Sequence, residues 1–424
     1  MNPTDTLIEK VRTSLMTDTR SPRPLRRAFA ALAAVFVLAS CAAEAPQDTW
    51  QPEGEYAQKI QDLQWWVFLI AGIVGVIVFA VVLFAVFKFR DRGQAIPEQS
   101  HGNALIEYAF IAGPAVLLAV IAIPTVSLVL DLNDTSDADC VVNVTGQQWW
   151  WEYDYPIDAE GNICGFAPTE GAAPIVTSGQ MIIPTQAKVV IRGTSRDVIH
   201  SFWIPKLNGK RDMVPGRVHT WNFQANQPGI YAGQCAEFCG LSHANMRMEI
   251  VALDDADFQA WIDNQLKPYE SPEEGTLAAA GEATFLAQCA SCHQVDGLTN
   301  ADGELVIAQP ENRVWSGAAP NLTHLMTRNT FAGASYDLLN DRCRDLVWEA
   351  DPDVFGDRYL VGVTAECLNE IDLKEWLRNA PAKKPMYADP EQLDETDGLV
   401  RGMPNLNLSE DQINELVAYL LERK

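Results

Sequence analysis

The loop that decides the fold of this chain reads Cys235-Ala-Glu237-Phe-Cys239-Gly-Leu-Ser-His243-Ala-Asn-Met246. A second imidazole, His200, lies upstream of it. Thiolates and thioethers are soft ligands that select copper, and imidazole suits copper as well. A structural zinc site would use two cysteines and two histidines, but it would leave Met246 and Glu237 without a role. The loop therefore predicts a copper centre, with a zinc site and a copper-delivery site as the alternatives.

A second redox centre is predicted by Cys289-Ala-Ser-Cys292-His293, which has the Cys-x-x-Cys-His spacing of covalent haem attachment. Two thioether bonds would hold the porphyrin, and His293 would bind the iron. We expect Met403, which precedes a predicted helix from Ser409 to Leu421, to be the sixth ligand. Methionine and histidine ligation raises the haem potential. The rival methionines are Met386 and Met326.

Composition limits the partners. The 424 residues carry a net charge of -25, which argues against nucleic-acid binding because that function needs a basic patch. Acidic residues crowd the segment after Pro268, and we favour a solvated surface or an adaptation to salt over steering of a basic donor.

The nine cysteines divide into two groups. Five are candidates for attaching lipid (Cys41), copper (Cys235 and Cys239) or haem (Cys289 and Cys292), and the other four are not. Three pairings of these four are possible, and pairing within each domain gives Cys140–Cys164 and Cys343–Cys367.

The N-terminus carries targeting signals. Four arginines between residues 20 and 27 precede a short apolar run that ends Leu38-Ala39-Ser40-Cys41. This pattern predicts a signal peptide over residues 1–40, with Cys41 as the lipid-bearing first residue of the mature chain. The alternatives are a plain signal peptide that is cut elsewhere and a start at Met16.

Two apolar segments, at about 65–87 and 108–130, are long enough to span a bilayer. Lys88, Arg90 and Arg92 follow the first segment and predict that its end is cytoplasmic. The two spans then form a hairpin within residues 41–132 and return the chain to the outer side. We therefore expect a multi-pass protein of a bacterial cell membrane, with its other domains on the periplasmic or extracellular side.

Beyond the hairpin, two further domains are predicted. Residues 133–266 hold short apolar runs separated by Gly and Pro turns, which predict a Greek-key β-sandwich or barrel closed by a helix. A linker over 267–275 leads to an all-α haem domain over 276–424. The stretch at about 336–370 holds two cysteines and is interpreted as an insertion, because this domain resembles cytochrome c modules that are generally shorter between their His and Met ligands.

With these motifs in place, the chain resembles cytochrome c oxidase subunit II with a fused C-terminal cytochrome c domain (the caa-type haem-copper oxidases). The resemblance runs from the first span to the C-terminus and implies a cupredoxin fold and a dinuclear copper centre (CuA). Cys235 and Cys239 would bridge the coppers, while His200 and His243 would each cap one copper. The axial ligands would be Met246 and the backbone carbonyl of Glu237.

The same resemblance implies further roles. The carboxylate of Glu237 would reach a magnesium ion shared with subunit I. An exposed tryptophan in Gly146-Gln-Gln-Trp149-Trp-Trp would lie on the electron path to copper, and we choose Trp149. Glu107, at the start of the second span, becomes a candidate for proton uptake. His324 would be a pocket or surface residue of the haem domain and not a ligand.

The resemblance predicts a proton-translocating cytochrome c oxidase. Electrons would pass from covalent haem c to CuA and on to subunit I, where oxygen is reduced to water. The expected partners are subunits I and III, membrane lipid, and a soluble or membrane-bound donor. Alternatives are a subunit of a CuA-containing nitric-oxide reductase and a membrane electron carrier or copper-delivery protein. A quinol oxidase subunit is disfavoured because Cys235 and Cys239 are present.

Overall fold

The computed structural model describes residues 45–93, 102–169, 171–300, 302–306, 319–388 and 401–424. The predicted signal peptide, the lipid site Cys41 and the alternative start at Met16 lie outside the described residues.

Two long apolar helices come first. α1 spans Glu55–Lys88 and α2 spans Ala104–Leu132, and both are long and apolar enough to cross a membrane. They contain the two predicted spans. Outside those spans, the ammonium of Lys59 on α1 donates to Asp131 on α2 at 2.8 Å. The hairpin is thus joined at the end from which the rest of the chain continues.

The next part of the chain is a β-sandwich. A five-stranded sheet has the order β3-β2-β1-β5-β8, a three-stranded sheet has the order β4-β10-β9, and β6 pairs with β7. The strands are β1 (Cys140–Gln147), β2 (Trp150–Tyr155), β3 (Ile175–Ser178), β4 (Gln180–Pro184), β5 (Val189–Ser195), β6 (His200–Phe202), β7 (Arg211–Met213), β8 (His219–Phe223), β9 (Gly229–Gln234) and β10 (Arg247–Leu253). Helix α3, at Asp255–Gln265, follows β10.

Strand β1 shows the alternation of buried and more exposed residues that is typical of a sandwich, whereas β4 is buried along its whole length. Along β1, Cys140, Val142 and Val144 are buried, and Val141 and Asn143 between them are only partly covered. Successive side chains of a strand point to opposite faces, so this period of two buries one face in the core. β1 pairs with β2 in antiparallel and with β5 in parallel orientation.

The C-terminal part is mainly helical. Its elements are α4 (Leu277–Gln288), β11 (Thr330–Phe331), β12 (Tyr336–Asp337), α5 (Asp341–Trp348), α6 (Pro352–Leu360), α7 (Glu370–Arg378), α8 (Ala380–Lys383) and α9 (Glu410–Leu421). α9 begins with a capping box formed by Ser409 and Gln412. It crosses α4 closely at Gly281, where a Cβ atom would collide with the carbonyl group of Glu415. The first and last helices of this domain are therefore packed against each other.

The predicted insertion holds β12, α5 and α6. A disulfide joins Cys343 on α5 to Cys367, and a second disulfide joins Cys140 to Cys164 in the β-sandwich. These are the two within-domain pairs expected from the sequence. Helix α6 packs on the β-sandwich, where the hydroxyl group of Tyr359 donates to Gln180 at 3.0 Å. Residues from Gln47 to Lys424 form one compact unit.

Candidate metal centre

The predicted copper ligands come together from three elements. β6 supplies His200, the loop after β9 supplies Cys235 and Cys239, and a short 3-10 turn before β10 supplies His243. The sulfur atoms of Cys235 and Cys239 lie 3.9 Å apart. Nδ1 of His200 lies 3.9 Å from the sulfur of Cys235, and Nδ1 of His243 lies 3.5 Å from that of Cys239.

The two predicted axial groups lie at the same place. Sδ of Met246 is 3.8 Å from the sulfur of Cys239, and the carbonyl oxygen of Glu237 is 3.3 Å from that of Cys235. Each of the other four predicted ligand groups therefore lies within 3.9 Å of one of the two cysteine sulfurs. This set of two thiols, two imidazoles, one thioether and one carbonyl fits a dinuclear copper group, because the soft sulfur donors favour copper.

The thiol pair is prepared to bind metal. Both cysteines are buried and free. The contact between the two sulfur atoms lowers the pKa of Cys235 and raises the pKa of Cys239. Cys235 is thus the more acidic of the two thiols. A metal bound by both sulfurs would displace the thiol protons that remain.

Asp197 orients the imidazole of His200 and was not given a role in the sequence analysis. Its Oδ1 lies 2.9 Å from Nε2 of His200, which leaves Nδ1 facing the cysteines. Burial disfavours the charge of Asp197, but hydrogen bonds from His200 and from two backbone N–H groups hold the pKa of Asp197 below its ordinary value. No sequence spacing marks such a partner, although metal-ligating histidines commonly donate their other ring N–H to a carboxylate.

The predicted haem site lies at the end of α4. Cys289 and Cys292 are free, and a turn brings the backbone N–H of His293 to the carbonyl of Cys289 at 2.9 Å. Nδ1 of His293 lies 2.8 Å from the carbonyl oxygen of Pro320. A carbonyl only accepts, so Nδ1 carries the proton and Nε2 is free for a metal. Burial lowers the pKa of His293 and keeps it neutral, which is the form that binds iron. These three residues fit a covalent haem.

The candidate sixth ligands lie close to each other. Met403 is half-buried and packs against the core, and Met386 is buried. The side chain of Met386 occupies the space that a Cβ atom on Gly402 would need. Met386 therefore lies against the segment that holds Met403, and the choice of Met403 as the sixth haem ligand stays a prediction. Met326 is fully buried and packs in the core.

Trp149 lies beside the copper ligands but is covered. Its indole N–H donates to the carbonyl of Cys239 at 3.0 Å, which places it next to a predicted bridging ligand. The sequence analysis expected an exposed tryptophan, whereas Trp149 is only 2% exposed. The reason is Tyr387 of the C-terminal domain, whose ring centroid lies 5.4 Å from that of Trp149.

Three further residues were given roles in the sequence analysis that their positions do not test. Glu107 is exposed in the first turn of α2, where Asn103 caps the helix. The side chain of Glu237 is partly exposed. His324 is buried in the C-terminal domain. Their expected roles in proton uptake, in magnesium binding and in lining the haem pocket stay predictions.

Comparison with known proteins adds three family matches. Residues 47–128 match the transmembrane domain of cytochrome c oxidase subunit II, and residues 140–253 match its periplasmic domain. Residues 278–350 match cytochrome c. The matches follow the hairpin, the sandwich and the helical domain in chain order.

Similar full-length proteins include cytochrome c oxidase subunit 2 of Alkalihalophilus pseudofirmus, which is 34% identical over 67% of this chain and 81% of that protein. The protein of the same name from Bacillus sp. (strain PS3) is 29% identical over 79% of each chain. A solved structure of the periplasmic domain of subunit II from Bradyrhizobium japonicum is 28% identical and covers 31% of this chain and 96% of that one, with a TM-score of 0.27.

The hairpin, the sandwich with its soft-ligand cluster and the helical haem domain define a membrane-bound oxidoreductase subunit with two spans. The chain belongs to the cytochrome c oxidase subunit 2 family. The expected fold class is confirmed, and the copper and cytochrome c domains imply copper and haem c as its cofactors. The family also implies association with other oxidase subunits. The reductase, carrier and copper-delivery alternatives are not favoured.

Proposed function

We propose that this chain accepts electrons at a covalent haem c and delivers them through a dinuclear copper centre to subunit I, where oxygen is reduced to water and protons are pumped. The observation that carries the proposal is the convergence of the six copper-ligand groups, whose neighbouring atoms lie 3.3 to 3.9 Å apart. A centre that shares one electron over two metals changes little in geometry. The chain's task is to hold it rigidly in a buried site.

Each ligand has a defined part in this proposal. Cys235 and Cys239 would bridge the two coppers through their thiolates. His200 and His243 would each cap one copper, and Asp197 would keep His200 in place. Met246 would be a weak axial ligand, which tunes the potential of a copper site. The carbonyl of Glu237 would be axial on the other copper, and its carboxylate would share a magnesium ion with subunit I.

The haem is proposed to be attached to Cys289 and Cys292, with His293 and Met403 as its axial ligands. Support comes from the hydrogen bond of His293 to Pro320, because it fixes the ring with Nε2 free. A haem in the same chain raises the effective concentration of donor at the copper domain. A separate soluble or membrane-bound donor would then reduce this haem.

The remaining parts of the proposal concern the membrane. The copper and haem domains would face the outer side of a bacterial cell membrane, because Lys88, Arg90 and Arg92 follow the first span. Subunits I and III would pack against the hairpin. Glu107 is proposed to lie at the mouth of a proton pathway into subunit I. The proposed domains have the limits that were predicted from the sequence.

Electron paramagnetic resonance of the full-length chain tests this function. The chain would be produced in a haem-maturing host, loaded with copper in detergent and oxidised. We expect a hyperfine pattern from one electron shared by two equivalent coppers, together with covalent haem. Cys239→Ser should abolish the shared signal, while Met248→Leu, a change two residues beyond Met246, should retain it. A silent zinc-loaded protein or a single-copper signal would contradict the proposal.

A further inference from the structure

Two residues of the cytochrome domain lie against the copper centre. Tyr387 packs on Trp149, whose indole N–H donates to the carbonyl of Cys239. Arg401 places Nη1 3.8 Å from Oδ2 of Asp197. These contacts lead to different copper ligands, since Trp149 bonds to a bridging cysteine and Asp197 bonds to His200. We call Tyr387 and Arg401 the junction pair.

The junction pair is one structural unit. The backbone N–H of Arg401 donates to the carbonyl of Tyr387 at 2.8 Å, and the two residues form an isolated antiparallel β-bridge. On the haem side, Tyr387 directly follows Met386, and Arg401 lies two residues before Met403. Either Met386 or Met403, as a ligand of the haem iron, would thus be covalently close to the pair that contacts the copper ligands.

Lys384 fixes the cytochrome domain at this position. Its ammonium is buried and donates to the carbonyl of Trp149 at 2.8 Å and to that of Ala332 at 2.7 Å. A buried lysine is uncommon and needs such partners to offset its lost hydration. Next to Ala332, the carbonyl of Gly333 accepts from the backbone N–H of Arg247, which follows Met246. The contact is therefore specific and buried.

We propose that the junction pair is the route by which electrons cross from the haem to the copper centre, an inference that rests on the proposed function. Tyr387 supplies the aromatic contact to Trp149. Arg401 is a positioning residue that acts through Asp197 on His200. When bound, the haem would supply one electron at a time and the copper pair would accept it, and neither Tyr387 nor Arg401 would form or break a bond. Because Tyr387 covers Trp149, a separate donor protein is excluded from that tryptophan.

The first test measures electron transfer inside the assembled oxidase. The haem would be reduced by a light flash, and its reoxidation by copper would be followed optically. Tyr387→Leu should slow this step several-fold, and Tyr387→Phe should restore most of the rate. Tyr336→Leu is the matched control, since Tyr336 is a half-buried aromatic of the same domain that packs on Phe331 and Trp376.

The outcomes are distinguishable. If the copper-pair resonance and the haem spectrum of Tyr387→Leu are intact and its transfer rate equals that of the wild type, the junction is wrong and the proposed function stands. If the wild-type chain itself shows no copper-pair signal, the proposed function fails and the junction fails with it.

A second test separates the contact from the residues that form it. Gly333 has φ of +72°, and a Cβ atom there would lie 2.7 Å from the carbonyl oxygen of Trp149. Gly333→Ala should push the domains apart, expose Trp149 to hydroxyl-radical oxidation and slow electron transfer. Gly303→Ala is the control, because Gly303 has φ of +78° but no atom of the described residues lies within 4 Å of its Cβ position. Unchanged transfer with Trp149 exposed would overturn the proposal.

A third test addresses Arg401. Arg401→Leu removes a positive charge beside Asp197, so the copper potential should fall, while Arg401→Lys should retain it. Arg378→Leu, which breaks a surface ion pair with Glu410, should leave the copper potential unchanged. If the reduction potential of the copper centre were equal in Arg401→Leu and the wild type, Arg401 would have no part in the proposed route.

Discussion

The imidazole of His200 is held before any metal arrives. Its Nε2 is hydrogen-bonded to Asp197, whose side chain is only 3% exposed, and its Nδ1 is directed at the sulfur of Cys235. A ligand whose ring is already oriented gives up less conformational freedom on binding. Orienting partners of this kind typically contribute 10–100-fold to metal affinity.

Replacement of this partner should weaken copper binding. We expect Asp197→Ala to lower the copper affinity of the site by about 10–100-fold, because His200 becomes free to rotate. A competition titration against a chelator of known affinity measures the change. Asp154→Ala is the control, since Asp154 bonds to Asn143 elsewhere on the sandwich. Equal losses in both variants would show that the effect is not specific to the site.

The thioether of Met246 should tune the copper centre without being needed to hold it. We expect Met246→Leu to retain copper, to raise the reduction potential and to perturb the resonance spectrum, because a weak axial ligand is lost. Redox titration and resonance spectra measure these changes. Met248→Leu makes the same substitution at a fully buried core position and should alter neither. An unchanged potential in Met246→Leu would contradict the axial assignment.

At the scale of elements, two disulfides close loops of the same length. Cys140–Cys164 closes one in the sandwich, and Cys343–Cys367 ties α5 to the segment after α6; each has a sequence separation of 24. A cross-link stabilises a fold mainly by restricting the unfolded chain, and the effect depends on loop length. The two bonds should therefore contribute similar amounts to different domains.

Because the two disulfides close loops of equal length, their removal can be compared in a matched pair of variants. Replacing both cysteines of either bond by serine should lower the free energy of unfolding by about 3 kcal/mol. Loss of Cys140–Cys164 should first affect the copper resonance, and loss of Cys343–Cys367 should first affect the haem absorption. Thermal unfolding followed by both signals measures this. If either pair of substitutions disturbed both centres at the same temperature, the two domains would be unfolding as one cooperative unit.

At the scale of the whole molecule, the cytochrome domain is docked on the sandwich over a buried polar cluster. Glu249 of β10 accepts from Gln180 of β4, and Gln180 in turn accepts from Tyr359 and from the backbone N–H of Asn329. Arg328 donates to Ser178. Burial raises the pKa of Glu249 to about 7, although the bond from Gln180 acts in the opposite direction.

The stability of the docked molecule should therefore depend on pH. The raised pKa means that the folded state binds the proton of Glu249 more tightly than the unfolded state. The contribution of Glu249 to stability is greatest below the unfolded value of 4.5, declines as pH rises to about 7, and is then constant. The total change from this group is about 3 kcal/mol.

Glu249→Gln should remove this decline, because an amide keeps the hydrogen bond and does not ionise. The variant should gain stability relative to the wild type as pH rises from 5 to 7. Denaturant unfolding at several pH values measures the difference. Glu349→Gln, an exposed carboxylate at the end of α5, should follow the wild type. Parallel curves for Glu249→Gln and the wild type would contradict the prediction.

The sequence by itself determined the chemistry and the classes of fold. The copper and haem motifs and the two spans were predicted from residue type and local spacing, and the resemblance to a known family supplied the predicted role of each copper ligand. The lengths and patterns of the apolar segments likewise predicted the hairpin, the sandwich and the helical domain, because such patterns can be read without coordinates. The cysteine pairs were one of three possible pairings, and the domain argument favoured the pairs that the structure contains.

Only the tertiary structure decided how the two redox domains meet. Trp149 was expected to be exposed, and Tyr387 covers it from more than two hundred residues away in sequence. Lys384 and Arg401 carry no motif, so their roles depend entirely on which surfaces dock. Docking is set by shape and by buried polar partners between segments that are distant in the chain. Such long-range pairing cannot be read from any local sequence pattern, whereas the spacing of ligands within a loop can be read directly from the sequence.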